Sequence, residues 1–246
     1  MTVIPSVKTP PTNKNMTEIN YADPEIIHGL TDKHLTALIL NNRSFMVTPA
    51  TREAFLEMRN EALKDGINLS IASSFRNFER QKIIFEEKIA GIRPVLDRNE
   101  HPVDIGTMSK EELIRTIMFF SAVPGMSRHH WGTDLDVYDP DALACNEELD
   151  LTNRCYTSGS QKNVGKWLTD NMQKFGFFRP YAHDNQYCSY ELWHISHMSE
   201  SDRFTSGLDS EECACFLKNR AGLSEPDLVT SIVTGEFAQR FLLFSH

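Results

Sequence analysis

A chain of 246 residues with 40% hydrophobic content can bury one sizeable core, and no internal repeat divides it. Its formal charge of −9 and pI near 5.5 argue against nucleic acid or an anionic membrane surface as partner, since clustered lysine and arginine hold both. No run approaches the roughly 18 consecutive apolar residues of a membrane span. The N-terminus has no basic stretch leading into an apolar one, so the expected location is the cytoplasm, or the periplasm if a leader has been removed.

Five cysteines without an export signal fit a reducing compartment. Cys145 and Cys155 flank a short polar loop and could bridge, but the missing signal favours free thiols. Cys213-x-Cys215 has no second Cys or His pair at zinc-site spacing.

Residues 1–20, rich in Pro, Thr, Lys and Asn, read as a mobile arm ahead of a domain over 21–246. Thr48 as N-cap, Pro49 at the first helical position and Ala54, Phe55, Met58 and Ala62 on one face predict a helix that stops before Gly66. A short strand is expected over 68–73, then a helix over 77–90 carried by Phe78, Phe85 and Ile89. Residues 91–108 hold Gly, Pro, Asp and Asn and read as an excursion, a lid or rim loop. Ser109 and Glu112 open a helix expected to reach Val123, with Leu113, Ile117 and Phe120 on its apolar face. Alternation over 132–138 predicts a strand. The stripe Val164, Trp167, Leu168, Met172 and Phe175 predicts a core-facing helix over 160–175, closed by Gly176. Trp193 and Ile195 mark another strand, and from Asp209 the chain reads as two helical pieces separated by Gly222 and Pro226. Without regular βαβ units, this order predicts an α+β fold.

Two segments carry the chemistry: Ser127-Arg128-His129-His130-Trp131-Gly132-Thr133-Asp134-Leu135-Asp136 and Tyr190-Glu191-Leu192-Trp193-His194. His129, Asp136 and His194 form a mixed nitrogen and oxygen set suited to catalytic Zn2+ with one position left for water. Strand alternation sends Asp134, Asp136 and Tyr138 to one face and Leu135 and Val137 to the other. Glu191 is the natural general base. Residues three apart on a strand face opposite ways, so Glu191 is expected on the turn entering the strand; a helix would also align it with His194.

SRHHWGTDLD resembles the S-x-H-x-x-G-x-x-x-D signature of the VanY-type D-alanyl-D-alanine carboxypeptidases, and YELWHIS resembles their E-x-W-H signature. Upstream, Ser73-Ser74-Phe75-Arg76-Asn77-Phe78-Glu79-Arg80-Gln81 is similar to their S-x-x-R-x-x-x-x-Q segment. The matches come in the family's order and cover about residues 65–200. The resemblance implies a largely antiparallel central sheet flanked by helices, with His129, Asp136 and His194 as zinc ligands and Glu191 as base. It also implies that Arg76, Gln81 and Ser127 surround the terminal carboxylate of a peptidoglycan-derived peptide ending in D-alanine. Asp134 departs from the pattern, which more often has a small residue there. The arm, the 91–108 loop and the helical extension over 209–246 fall outside it.

Weighed singly, His130 is expected to be structural and His197 a solvated histidine. Asp134 is expected behind a ligand, since a fourth protein ligand would displace water. Trp131 and Trp193 are expected to pack around the metal site. The reading is a D,D- or L,D-carboxypeptidase, the latter suiting recycling of cell-wall peptides in the cytoplasm. An endopeptidase cutting within the stem peptide and a non-catalytic zinc-stabilised binding module are its rivals.

Overall fold

The computed structural model of the chain describes residues 19–182 and 186–242, so all but the last two residues of the expected arm lie outside the described residues. After the short helix α1 (Pro24–Ile27), a tight turn joins β1 (Thr36–Leu40) to β2 (Arg43–Val47) in an antiparallel hairpin. The helix α2 (Pro49–Lys64) begins as its cap residues dictate, with the Thr48 hydroxyl accepting from the Thr51 amide. It buries Phe55, Met58 and Ala62. Strand β3 (Ser70–Ser73) leads through Arg76 into α3 (Phe78–Ile89), capped by Asn77.

The main sheet has four strands in the order β3, β4 (Asp134–Tyr138), β6 (His194–His197) and β5 (Phe177–Phe178), and every pairing is antiparallel. Leu135, Val137 and Ile195 point into a core completed by α2 and by α6 (Lys162–Asn171). Their neighbours Asp134, Asp136 and His194 point the other way, as strand geometry requires. A second core holds α3, α4 (Lys110–Ile117), α8 (Ser210–Asn219) and α9 (Pro226–Gly235) together through Phe85, Ile114, Phe216 and Val229. The α5 helix (Asn153–Thr157) packs on α6, and α7 (Met198–Ser206) follows β6 directly.

The expected elements are present with shifted ends. The Ser109–Glu112 capping box forms, but α4 stops at Ile117 rather than Val123. The next residues turn Phe119 and Phe120 towards a cavity instead of continuing the helical stripe. The 160–175 helix finishes as a tighter 3-10 turn over Met172–Phe175, and Gly176 ends it in the left-handed region at φ +74°. The β1–β2 hairpin, α5 and α7 carry no clear sequence period, and tertiary packing decides them. Cys145 and Cys155 are separate thiols and do not bridge. Among the described residues no helix is long and apolar enough to cross a membrane.

Candidate metal centre and cavity

Sheet register assembles the centre from distant parts of the chain. Asp136 on β4 lies opposite His194 on β6 and beside Ser73 on β3. His129 arrives on the 3-10 turn Arg128–Trp131, and Gly132 at φ +72° swings the chain from that turn into β4. A Cβ at Gly132 would sit 2.4 Å from the end of the Leu35 side chain, and the left-handed backbone there favours glycine in any case.

His129 Nε2 is 3.4 Å from Asp136 Oδ2, and His194 Nδ1 is 3.4 Å from Asp136 Oδ1. Ligand atoms of the three residues all lie within 4.8 Å of one another, and all three side chains line a cavity of about 340 Å³. The far nitrogen of each ring is already engaged. His129 Nδ1 donates to the Ser74 carbonyl at 2.9 Å, and His194 Nε2 donates to Asp134 Oδ1 at 2.9 Å. These bonds leave the inward nitrogens free to offer lone pairs at one point, the usual arrangement around metal-binding histidines. Asp136 Oδ1 is buried and makes no hydrogen bond. A buried carboxylate oxygen left this way calls for a cation. The donor set therefore fits a tetrahedral metal with one open position.

Asp134 packs against the far nitrogen of His194, away from the cavity. Its Oδ1 also accepts from Arg128 Nε at 2.8 Å, while its Oδ2 accepts from Thr133 at 2.6 Å and Ser196 at 2.9 Å. Burial opposes its ionisation, but Arg128 and His194 outweigh that and hold the carboxyl well below the usual range. Arg128, fully enclosed and stacked 4.9 Å over Trp131, is a residue the sequence reading missed. A lone arginine in a loop gives no signal of an internal partner.

Glu191 precedes the turn into β6, as its spacing from His194 demands, and its Oε2 is 3.2 Å from His194 Nδ1. Burial raises its pKa above the ordinary carboxylate value, with His194 opposing the rise. The Tyr181 ring meets His194 edge-on at 5.0 Å and closes that side of the cavity.

Arg76 and Ser127 line the same cavity. Gln81 does not: its amide oxygen accepts from Arg76 at 2.7 Å and its nitrogen donates to the Ala122 carbonyl at 2.6 Å. Fully buried at 0% exposure, it braces Arg76 rather than meeting a ligand, a correction to the reading that put it beside substrate. Ser73 holds the other arm of the guanidinium at 3.1 Å, and Asp136 lies 3.8 Å from it.

His130 ties two backbone segments together, with Nδ1 donating to the Arg76 carbonyl at 2.6 Å and Nε2 accepting from the Gly125 amide at 3.0 Å. Burial pushes its pKa down to about 3, so the ring stays neutral. His197 corrects the expectation of solvation. It faces away from the centre, but it is buried, and its ring packs 5.3 Å from that of Phe177, its partner on the neighbouring strand. Trp131 stacks on Phe204 at 5.5 Å, and Trp193 forms part of the cavity wall. The 91–108 excursion supplies rim residues Arg93, Leu96 and Glu100, and the C-terminal turn adds Arg240 and Phe241. Lys88, Tyr181 and Arg240 are further cavity residues that the sequence reading missed.

One sheet face thus gathers two histidines and an aspartate that could hold a metal ion, beside the buried Glu191, over one cavity. Residues 44–200 match the family model described as VanY, D-alanyl-D-alanine carboxypeptidase, and the chain belongs to that family. It is 35% identical to an uncharacterised protein of Haemophilus influenzae over 102 residues, which are 41% of this chain and 69% of that protein. A D-alanyl-D-alanine carboxypeptidase of Enterococcus faecium is 25% identical over 59% of this chain but only 35% of its own length. The solved structure of VanYB in complex with D-alanine-D-alanine aligns with a TM-score of 0.49 at 21% identity, over 73% of this chain and 87% of that one. The family match ends before α8, α9 and the residues Arg240 and Phe241 that complete the cavity.

Proposed function

We propose that this protein is a zinc-dependent carboxypeptidase that removes a C-terminal D-alanine from peptidoglycan stem peptides. The observation that carries the reading is the convergence of His129 Nε2, His194 Nδ1 and Asp136 beside Glu191 in one cavity that also holds Arg76. His129, Asp136 and His194 would hold the zinc, which when bound supplies a Lewis acid for the scissile carbonyl and acidifies water.

The protein's own groups do the rest. Arg76, braced by Ser73 and Gln81, presents a planar fork to the peptide's terminal carboxylate, and Ser127 adds a hydroxyl on the same wall. Binding that terminus selects the last peptide bond. Glu191, with its raised pKa, accepts a proton from the attacking water and returns it to the departing amine. Tyr181 and Trp193 wall the reacting groups from bulk solvent.

Matched tetrapeptide and pentapeptide substrates, followed by mass spectrometry, test the reading. Release of D-alanine from the tetrapeptide assigns L,D activity and release from the pentapeptide assigns D,D activity. Amidating the terminal carboxylate should abolish either. Equal cleavage of free and amidated peptides, or cleavage inside the stem, would sink the carboxypeptidase reading in favour of an endopeptidase.

A further inference from the structure

Among the cations that line the cavity, Lys88 is one that the proposed mechanism does not use. Lys88 projects from the last turn of α3, and its ammonium donates to Ser121 Oγ at 2.7 Å. That hydroxyl is neutral, and among the described residues no carboxylate lies within 4.0 Å of the ammonium.

The nearby acids are committed elsewhere. Glu87 pairs with Arg93, Glu86 accepts from Ser224, Glu100 accepts from the Asn153 amide and Glu191 sits 3.2 Å from His194. Burial pulls the lysine's pKa below its ordinary value, with Glu191 across the cavity pulling back. A half-buried ammonium with N–H groups to spare, on a chain of formal charge −9, is a costly feature unless an anion completes it.

Lys88 stands on α3, and Arg76, in the connection just ahead of that helix, is braced by one of its residues. Gln81, which braces Arg76, and Lys88 are seven residues apart, two turns or about 10 Å along the same face of α3. Ser121 and Ala122, consecutive residues, receive the two side chains. The helix thus positions two cationic contacts in series, one beside Asp136 and one further along.

We propose that Lys88 and Ser121 form a second carboxylate-binding subsite, one that reads an acidic group of the substrate other than its C-terminal carboxylate. The inference rests on the carboxypeptidase reading above, and it deepens that reading by naming the preferred substrate class: peptides with a free carboxylate on a residue near the terminal D-alanine. Two positions in a stem peptide supply that chemistry. One is the distal carboxylate of a diamino diacid next to the D-alanine, and the other is the α-carboxylate of a γ-linked D-glutamate one residue further back.

The test uses L-Ala-γ-D-Glu-X-D-Ala peptides, with X as diaminopimelate, its distal amide, or lysine, and a fourth peptide amidated at the glutamate α-carboxylate. Wild-type protein should cleave one free-acid peptide better than its matched amide, and the amide that loses shows which carboxylate is read. Lys88→Met should lower kcat/KM for the free acid about 10- to 100-fold, the worth of a hydrogen bond to a charged group, and change the amide less than about threefold. Lys88→Arg should restore most of the preference. If circular dichroism shows Lys88→Met unfolded, Lys88→Gln carries the same comparison.

An equal loss on every peptide by a folded variant would overturn the proposal, because Lys88 would then share the terminal carboxylate with Arg76. No loss on any peptide would overturn it too. Calorimetric binding of the same peptides to Glu191→Gln protein reads the preference without turnover. If wild-type protein cuts none of the peptides, the carboxypeptidase reading falls and Lys88 is judged on binding alone.

Discussion

Among the described residues, two clusters bring a histidine, a carboxylate and a third donor within 4.8 Å of one another: His129, Asp136 and His194, and His28, Glu212 and Cys213. By residue type the second is no worse as a zinc site, since thiolates and imidazoles are good zinc ligands. Its atoms are spent differently. Both ring nitrogens of His28 face oxygen acceptors, the Gly125 carbonyl at 2.8 Å and the Glu212 carboxylate at 2.8 Å, and its ring lies flat on Phe216 at 3.8 Å. Cys213 is buried in the helical core, and burial pushes its thiol up to about 12. The first cluster keeps one nitrogen of each histidine and one carboxylate oxygen uncommitted, all turned into a cavity. What separates a ligand set from a structural knot is lone pairs left unspent towards open space.

The largest expected effect tests that distinction directly. His194→Ala should lose both bound zinc, measured by elemental analysis, and turnover, whereas Glu212→Gln should leave the ratio near one zinc per chain. Full zinc in His194→Ala with normal activity would remove His194 from the ligand set.

Glu191→Gln comes next. It removes the proposed base and leaves the three proposed ligands alone, so turnover should fall about 10²- to 10⁴-fold with zinc content unchanged. Loss of zinc in that variant would make Glu191 a ligand and one of the other three misassigned.

Asp134→Asn should weaken zinc affinity or activity about 10- to 100-fold, as removal of a partner behind a ligating histidine does. Competition with a chelator measures it. Asp134 already accepts four hydrogen bonds behind His194, which takes it out of consideration as a substitute base. Activity retained in Glu191→Gln would therefore point to a group on the cavity wall rather than to Asp134.

The smallest effects belong to the second cluster. His28→Ala strands a buried carbonyl and a carboxylate, which should cost about 1–3 kcal/mol of stability in denaturant titrations without changing zinc content. Because its folded-state pKa is raised to about 12, Cys213 is almost wholly protonated at pH 8, so it should resist alkylation while the exposed Cys145 and Cys215 label quickly. Protection of Cys213 that disappears on chelation would overturn the contrast between the clusters.

The chain's own pattern made much of this legible. Thr48, Asn77 and Ser109 announce their helices because a side chain that caps an amide must sit at one position. Gly132 and Gly176 mark chain reversals because only glycine enters the left-handed region without cost. The alternation Asp134, Leu135, Asp136, Val137 separates the centre from the core before any strand partner is known. The same rule keeps Glu191 off the strand that carries His194, since the two could not both face one side of an ideal strand, and Glu191 lies just before the turn into β6.

Other features depend on contacts between residues far apart in sequence, and no local pattern encodes them. Gln81 could meet a ligand or brace a neighbour; the Ala122 carbonyl, 41 residues away, decides for bracing. His197 reads as a solvated histidine when weighed alone, yet it shares the core-facing side of β6 with Ile195, and Phe177 of the neighbouring strand packs against it. Lys88 reads as an ordinary cation in the last turn of a helix until Ser121 and the cavity wall enclose it. Residue type and periodicity are set along the chain, so caps, turns and strand faces follow from the sequence alone. Whether a polar atom is spent or left available is set by what packs against it, and only the tertiary structure makes that choice.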